Sequence, residues 1–290
     1  MMYRVRHSTV YTYDETVPVC QNEAHLKPRN AATQKCLSNN LLIAPPPATT
    51  AERNDYFGNH VTFFTIQEGH RRLAITAESV VTVVEGAPPA AEESGSWETT
   101  TDLLRGYSDG SHLEAKHFTF ESPYVPLSDE LAGYALPSFT PGRRQLEAVF
   151  DLTHRIFTEF KFDPTATCVN TPPLQVLHKR RGVCQDFAHL MIGCLRSLGL
   201  SARYVSGYLL TAPPPGKPRL VGADVSHAWV SVYFPEFGWL DFDPTNDCMP
   251  SGKHITLGWG RDYGDICPIK GVFVGGGRHE MQVTVDVEPV

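Results

Sequence analysis

The stretch that most constrains the fold runs from Arg181 to Gly199, where a loop delivers one cysteine to the start of a helix. Apolar residues recur there at Phe187, Leu190, Met191, Cys194, Leu195 and Leu198, the i, i+3, i+4, i+7 spacing of an amphipathic helix. Gly199 follows as a left-handed stop, and Gly182 is expected to turn the backbone sharply just before the helix. Cys184 therefore lands at or beside the N-cap. Unpaired N–H groups and the positive end of the helix dipole favour an anion there, so a thiol is favoured as the attacking thiolate. A small buried residue at a helix start accounts for this stretch equally well, because such a cysteine is reactive only with a base nearby.

Residues 225–243 supply a base. Two segments with period-2 alternation flank Pro235-Glu236-Phe237-Gly238, which reads as a hairpin turn. His227, Trp229 and Ser231 share one face of the first strand, and Trp239, Asp241 and Asp243 share one face of the second. The two faces coincide if a five-residue loop, Phe234 to Gly238, sets Tyr233 opposite Trp239 and Trp229 opposite Asp243. His227 is then the diagonal neighbour of Asp243, with alpha carbons roughly 7 Å apart, a gap that side chains bridge. A carboxylate there fixes the imidazole tautomer and stabilises its protonated form. Cys184, His227 and Asp243 thus make a nucleophile, base and orienter. Asp241 shares the face but lies one pair nearer the turn.

These residues resemble the transglutaminase-like superfamily. The matching motifs are Arg181-Gly182-Val183-Cys184 with Phe187-Ala188, then Leu198-Gly199-Leu200 with Ala202-Arg203-Tyr204-Val205 and Gly207-Tyr208. His227-Ala228-Trp229 and Trp239 with Asp243-Pro244-Thr245 complete them, and together they cover about residues 140–250. The resemblance implies that Cys184, His227 and Asp243 are a catalytic triad, with Asp241 the weaker candidate for orienter. Arylamine N-acetyltransferases share the Cys-His-Asp order but lack the His-Ala-Trp and Asp-Pro-Thr pairing.

The chain has 290 residues, 41% hydrophobic and 20% charged, enough for one large or two modest globular domains. A net charge of −7 gives no drive toward nucleic acid or anionic lipid. There is no run of about 18 apolar residues, so no membrane span is expected. The opening residues lack the apolar core of a secretory signal, and the expected location is cytoplasmic. Seven cysteines at irregular spacing, without a Cys-x-x-Cys doublet, read as reduced thiols and not as a disulfide framework or zinc site. No acidic calcium loop appears. Neither cofactor nor metal is expected.

The expected fold class is α+β, with an all-β, sandwich-like N-terminal domain ahead of a core of papain/transglutaminase type. Residues 3–13, Cys20 to Pro28, Leu41 to Ala44, His60 to Glu68 and 72–84 read as strands, with a turn at Asp14-Glu15. His7 to Tyr13, Leu26-Lys27-Pro28-Arg29 and Asp55-Tyr56-Phe57-Gly58-Asn59 resemble the domain found ahead of bacterial transglutaminase-like cores. The expected division is 1–86 for this domain, 87–128 for linker and irregular connection, and 129–290 for the catalytic core. Within 97–122 the composition suggests loop with one or two helical turns. Ser128 is expected to cap a helix, and Thr140-Pro141 to open another with Leu146, Val149, Phe150, Thr153, Ile156 and Phe157 on one face. Leu174 to Arg181 reads as a short helix whose basic end, Lys179 to Arg181, is either solvated or attractive to an acidic substrate. His189 is expected to be structural, and Gly207 to mark a bulge or close backbone approach. Thr211 to Asp224, rich in proline, is expected at the mouth of the site, and Val283 to Val287 as a closing strand.

The expected chemistry is acyl transfer through a thioester on a peptide or protein amide, with water (protease or amidase) somewhat favoured over an amine acceptor (protein-glutamine transferase). A catalytically silent binding module on the same fold is the rival from another class.

Overall fold

Alternation in sequence becomes alternation in burial along β1 (Met2–Val17), where Tyr3, Val5, His7 and Thr9 are buried and Arg4 and Arg6 exposed. In the computed structural model, which describes residues 1–106, 112–211 and 225–290, the strands β2 (Val19–Ala24), β3 (Gln34–Ala44), β4 (Thr49–Asn54), β5 (His60–Ile66) and β6 (His70–Val83) follow without a helix. Asp14 and Glu15 lie inside β1, across a register shift between Thr12 and Val17, and do not form the expected turn. All of β4 is exposed, so it carries no alternation that could have marked it.

The last two strands, β13 (Ile269–Val274) and β14 (His279–Pro289), return to the first domain. Two four-stranded antiparallel sheets result, ordered β14-β1-β6-β3 and β13-β2-β5-β4, with Tyr13, Val17, Phe64, Ile66, Leu73 and Ile75 packed between them. The expected assignment of 129–290 to the core is corrected here. β14 pairs with β1 from Tyr3–Pro289 to Tyr13–His279, and β13 pairs with β2 from Ala24–Ile269 to Val19–Val274. Alternation in Val283 to Val287 reveals a half-buried strand but not the sheet it joins. The open edges of β1 and β2 decide that.

In the core, helix α1 (Trp97–Arg105), capped by Ser96, replaces the looser structure expected there, and α2 (Leu113–Lys116) is a single turn. Ser128 caps α3 (Asp129–Ala135) as expected, accepting from the Glu130 N–H. α4 (Gln145–Glu159) starts later than Thr140-Pro141, because Gly142 at φ 75° turns the chain before the helix. Its buried face is Leu146, Ala148, Val149, Leu152, Thr153 and Ile156, so Phe150 and Phe157, expected inside, lie toward solvent. The pair β7 (Lys161–Phe162) and β8 (Arg181–Gly182) brackets α5 (Pro173–Lys179).

Helix α6 (Cys184–Ser197) is buried from Asp186 to Arg196, so the amphipathic stripe read from sequence lies on a helix enclosed on all sides. Its one buried cation, Arg196, is satisfied by the carbonyls of Ala202 (3.0 and 2.8 Å) and Arg261 (2.6 Å). The sheet behind it runs β11-β10-β9-β12, from β9 (Ala202–Leu209), β10 (Val225–Phe234), β11 (Gly238–Phe242) and β12 (His254–Gly260). Ala202, Tyr204, Ala228, Val230, Val232 and Phe242 join the cluster around α6. No helix among the described residues is long and apolar enough to cross a membrane.

Candidate active site

Cys184 is the first residue of α6, partly exposed, and its N–H has no acceptor within the helix. The sharp turn expected at Gly182 occurs two residues earlier, at Arg180 with φ 52°. Gly182 is required for space: a Cβ there would lie 2.7 Å from Asp186 Oδ2 and 2.9 Å from Asp186 Cβ. That room lets the buried Asp186 carboxylate fold back on the helix start, where it accepts from the Val183 N–H (2.8 Å) and the Thr167 hydroxyl (2.6 Å). Burial raises the Asp186 pKa against those two bonds. Sequence reasoning passed over Asp186, whose N3 position three residues past Val183 was the available signal.

The hairpin register is the one expected. Tyr233 faces Trp239 and Ser231 faces Asp241, with the turn closed by Gly238 at φ 73°. The ladder ends at Val230–Phe242, after which the Asp243 N–H bonds the Cys248 carbonyl. His227 reaches diagonally to Asp243, Nε2 to Oδ2 at 2.6 Å, with both side chains almost wholly buried. Cys184 and the same imidazole line one cleft, where the thiol favours charge on the ring. Since Asp243 takes Nε2, Nδ1 is the nitrogen left for sulfur. Burial opposes charge on His227, but the bonds to Asp243 and Cys184 outweigh it and raise its pKa to about 10. Burial likewise opposes charge on Asp243, and its histidine partners outweigh that to hold the carboxyl well below the usual range.

Asp243 is held from every side. Oδ1 accepts from the Thr245 N–H (2.9 Å), and Oδ2 accepts from Asn246 Nδ2 (2.7 Å) as well as His227. A second buried histidine, His254 at the start of β12, places Nε2 3.0 Å from the same Oδ2, while its Nδ1 has no partner. His254 was missed in the sequence because a lone histidine before a strand carries no spacing relation to Asp243. His227, Asp243 and His254 could hold a metal, with their ligand atoms within 4.8 Å of one another. Yet the carboxylate oxygen sits 2.6 and 3.0 Å from the two nitrogens. Two ligands of a tetrahedral zinc with bonds near 2.0–2.1 Å would be roughly 3.3 Å apart. The distances are those of a hydrogen-bonded network.

Asp241 serves a different partner. Its Oδ2 accepts from the Trp229 indole N–H at 2.9 Å, and its charge faces Arg203. The Arg203 guanidinium is stacked between Trp239 and Trp259, 4.1 and 3.8 Å from their ring centroids. Burial lowers the Arg203 pKa to about 9, with Asp241 opposing. Gly207 makes room for this arrangement, since a Cβ there would meet the Ile255 carbonyl at 2.2 Å and the Trp229 ring at 2.5 Å. His189 is structural, accepting from the Tyr263 N–H, and burial lowers its pKa to about 3. In the basic cluster Arg180 is tied to Glu159 at 2.8 Å and Arg181 lies 3.8 Å from Asp163. The proline-rich segment expected at the mouth, 212–224, lies outside the described residues.

Comparison with known proteins agrees with this architecture. Residues 3–82 match the bacterial transglutaminase-like N-terminal region, and residues 136–244 match the transglutaminase-like superfamily core. An uncharacterized Mycobacterium tuberculosis protein is 41% identical over 99% of this chain and 92% of its own length. A protein-glutamine gamma-glutamyltransferase of Pseudomonas aeruginosa is 36% identical over 92 residues, 31% of this chain and 14% of that protein. A solved Cytophaga hutchinsonii protein, a proposed cysteine protease, shares the fold with a TM-score of 0.78 at 20% identity, over 99% of this chain and 90% of that one. Two profile matches in series and full-length similarity to a relative establish that the chain belongs to the transglutaminase-like superfamily, with its bacterial N-terminal region.

Proposed function

We propose that this chain is a cysteine-dependent enzyme that transfers acyl groups from amides, with Cys184 as nucleophile, His227 as general base and acid, and Asp243 as orienter. The observation that carries the reading is the buried 2.6 Å contact between His227 and Asp243, on an imidazole that also faces a helix-start thiol in an open cleft. Cys184 sulfur bonds to the carbonyl carbon as its proton passes to His227 Nδ1. The Cys184 N–H is the first donor to the resulting oxyanion. Collapse breaks the C–N bond, His227 protonates the departing amine, and a thioester remains. Water or an amine then attacks that thioester, gives its proton to His227 and releases the thiol. We favour water, hence a cysteine protease or amidase, because hydrolysis needs no second acceptor surface. The partial similarity to a gamma-glutamyltransferase keeps the amine as the alternative acceptor.

The test begins with iodoacetamide and peptide mapping. Cys184 should alkylate faster than the other thiols at neutral pH and slow in His227→Gln. A glutamine- and asparagine-containing peptide library, read by mass spectrometry with and without cadaverine, then separates hydrolysis from amine transfer. Cys184→Ala should abolish turnover and keep cooperative unfolding. Cys184 labelling no faster than free cysteine and indifferent to His227 would refute the enzyme in favour of a binding module.

A further inference from the structure

The cleft over Cys184 is walled partly by the N-terminal sandwich. β1 and β14 are paired, and their odd residues share one face, in rows His7–Val285, Thr9–Val283 and Tyr11–Met281. At one end of this face Tyr3, Val5 and Val287 pack with Tyr208, Ile255 and Leu257 of the core, forming the apolar seam between the two halves. Continuing along the strands, the same face leaves the seam and becomes a wall of the cavity of about 430 Å³ that holds Cys184 and His227. Exposure tracks that passage, with Val285 at 2%, Val283 at 43% and Met281 at 59%. Apolar side chains that open onto a cavity holding a thiol–imidazole pair are placed to touch whatever is bound there. Among the described residues around this cavity there is no Asp, Glu, Lys or Arg.

We propose that Thr9, Tyr11, Met281 and Val283 form the acyl-donor subsite, so that the enzyme selects uncharged donors with an aliphatic or aromatic group beside the scissile amide. This rests on the acyl-transfer reading. It also assigns the N-terminal sandwich a task, because the strands that close it are the ones that face the substrate. A charged donor group would lose its hydration against this wall and, apart from the His227 imidazole already paired with Asp243, find no described counter-charge in exchange. An aliphatic group would instead cover side chains that now face water.

The experiment uses the full chain and N-acetyl chloromethyl ketones of leucine, phenylalanine, glutamate and lysine. Each rate of Cys184 alkylation is divided by the same protein's iodoacetamide rate and by the probe's rate with free cysteine. The leucine and phenylalanine probes should react at least about tenfold faster than the charged pair, the worth of roughly two buried methylenes. Val283→Asp and Met281→Lys, both on exposed positions that burden the fold little, should each remove most of that preference. Lysine should react relatively faster in the first variant, and glutamate in the second. Equal rates for all four probes on a fast, His227-dependent thiol would overturn the subsite and leave the acyl-transfer reading standing. Slow labelling by iodoacetamide itself would strike that reading instead. Flat probe rates, with a dimer in sedimentation that Val283→Asp converts to monomer, would assign the apolar face to self-association.

Discussion

Replacing Asp243 with Asn keeps the size of the side chain and removes its charge. The amide presents a donor where His227 Nε2 finds an acceptor at 2.6 Å. The imidazole must then carry its proton on Nδ1, the nitrogen that faces sulfur, and it can no longer accept the thiol proton. Charge is lost as well. In the native chain the histidine is raised to about 10 from 6.5, and with Asp243 gone burial is opposed only by Cys184, so the value falls. The full change corresponds to roughly 5 kcal/mol at about 1.4 kcal/mol per pH unit. Cys184 contributes part of it, which leaves ~2–4 kcal/mol to Asp243, or about 30- to 10³-fold in the acylation rate. The assay is alkylation of Cys184 by iodoacetamide from pH 5 to 10.5, which needs no substrate. The native profile should show an inflection near the histidine value of about 10, and Asp243→Asn should move it to lower pH by at least about one unit. Asp241→Asn should leave it in place, because that carboxylate bonds Trp229 and faces Arg203. A larger change from Asp241→Asn, or an unmoved inflection in Asp243→Asn, would refute the assignment.

The same pair sets how stability depends on pH. A histidine raised from 6.5 to about 10 stabilises fully below 6.5 and loses that contribution as pH rises to about 10; a carboxyl held below 3.8 stabilises above 3.8 and loses it as pH falls. Urea midpoints of the native chain should therefore decline on both sides, and those of Asp243→Asn should be flatter across the same pH range. His254→Leu, which takes one donor from Asp243 Oδ2, should destabilise by ~1–3 kcal/mol and alter the alkylation profile, while His254→Gln, whose amide can reproduce that donor, should largely restore both. Identical behaviour of the leucine variant and the native chain would show His254 to be idle. Gly207→Ala should cost about 3 kcal/mol or more by chemical denaturation, since the added methyl meets a backbone carbonyl at 2.2 Å. A neutral outcome would mean that β9 and β12 do not approach as closely as described.

The candidate triad was legible in the sequence because Cys184 and His227 sit on regular elements and Asp243 directly follows one. A 3.6-residue period located Cys184 at a helix start, and a period of two with a closed turn length set His227 diagonal to Asp243. Asp241, which alternation alone could not separate from Asp243, is distinguished by its partners. His254 and Asp186 were not legible, since each owes its place to a tertiary approach with no fixed spacing. Gly182 was read for its backbone and is needed for the space its missing Cβ leaves. The sandwich boundary failed for a related reason. Local pattern shows that a segment is a strand with one wet face, whereas its neighbour depends on which edges stand open elsewhere in the chain.

That boundary bears on how the protein can be made and dissected. During synthesis the ribosome releases β1 to β6 long before β13 and β14 exist, so two sheet edges wait through nearly two hundred residues of translation. A fragment ending near residue 86 would carry those edges permanently and should aggregate, however sound a profile match to that segment looks. The complementary fragment would carry two strands with nowhere to pair. The first domain is thus finished last, and the cleft wall over Cys184 is completed only when the final strand docks. In such a chain the helix that carries Cys184 is made before the strand that walls its cleft.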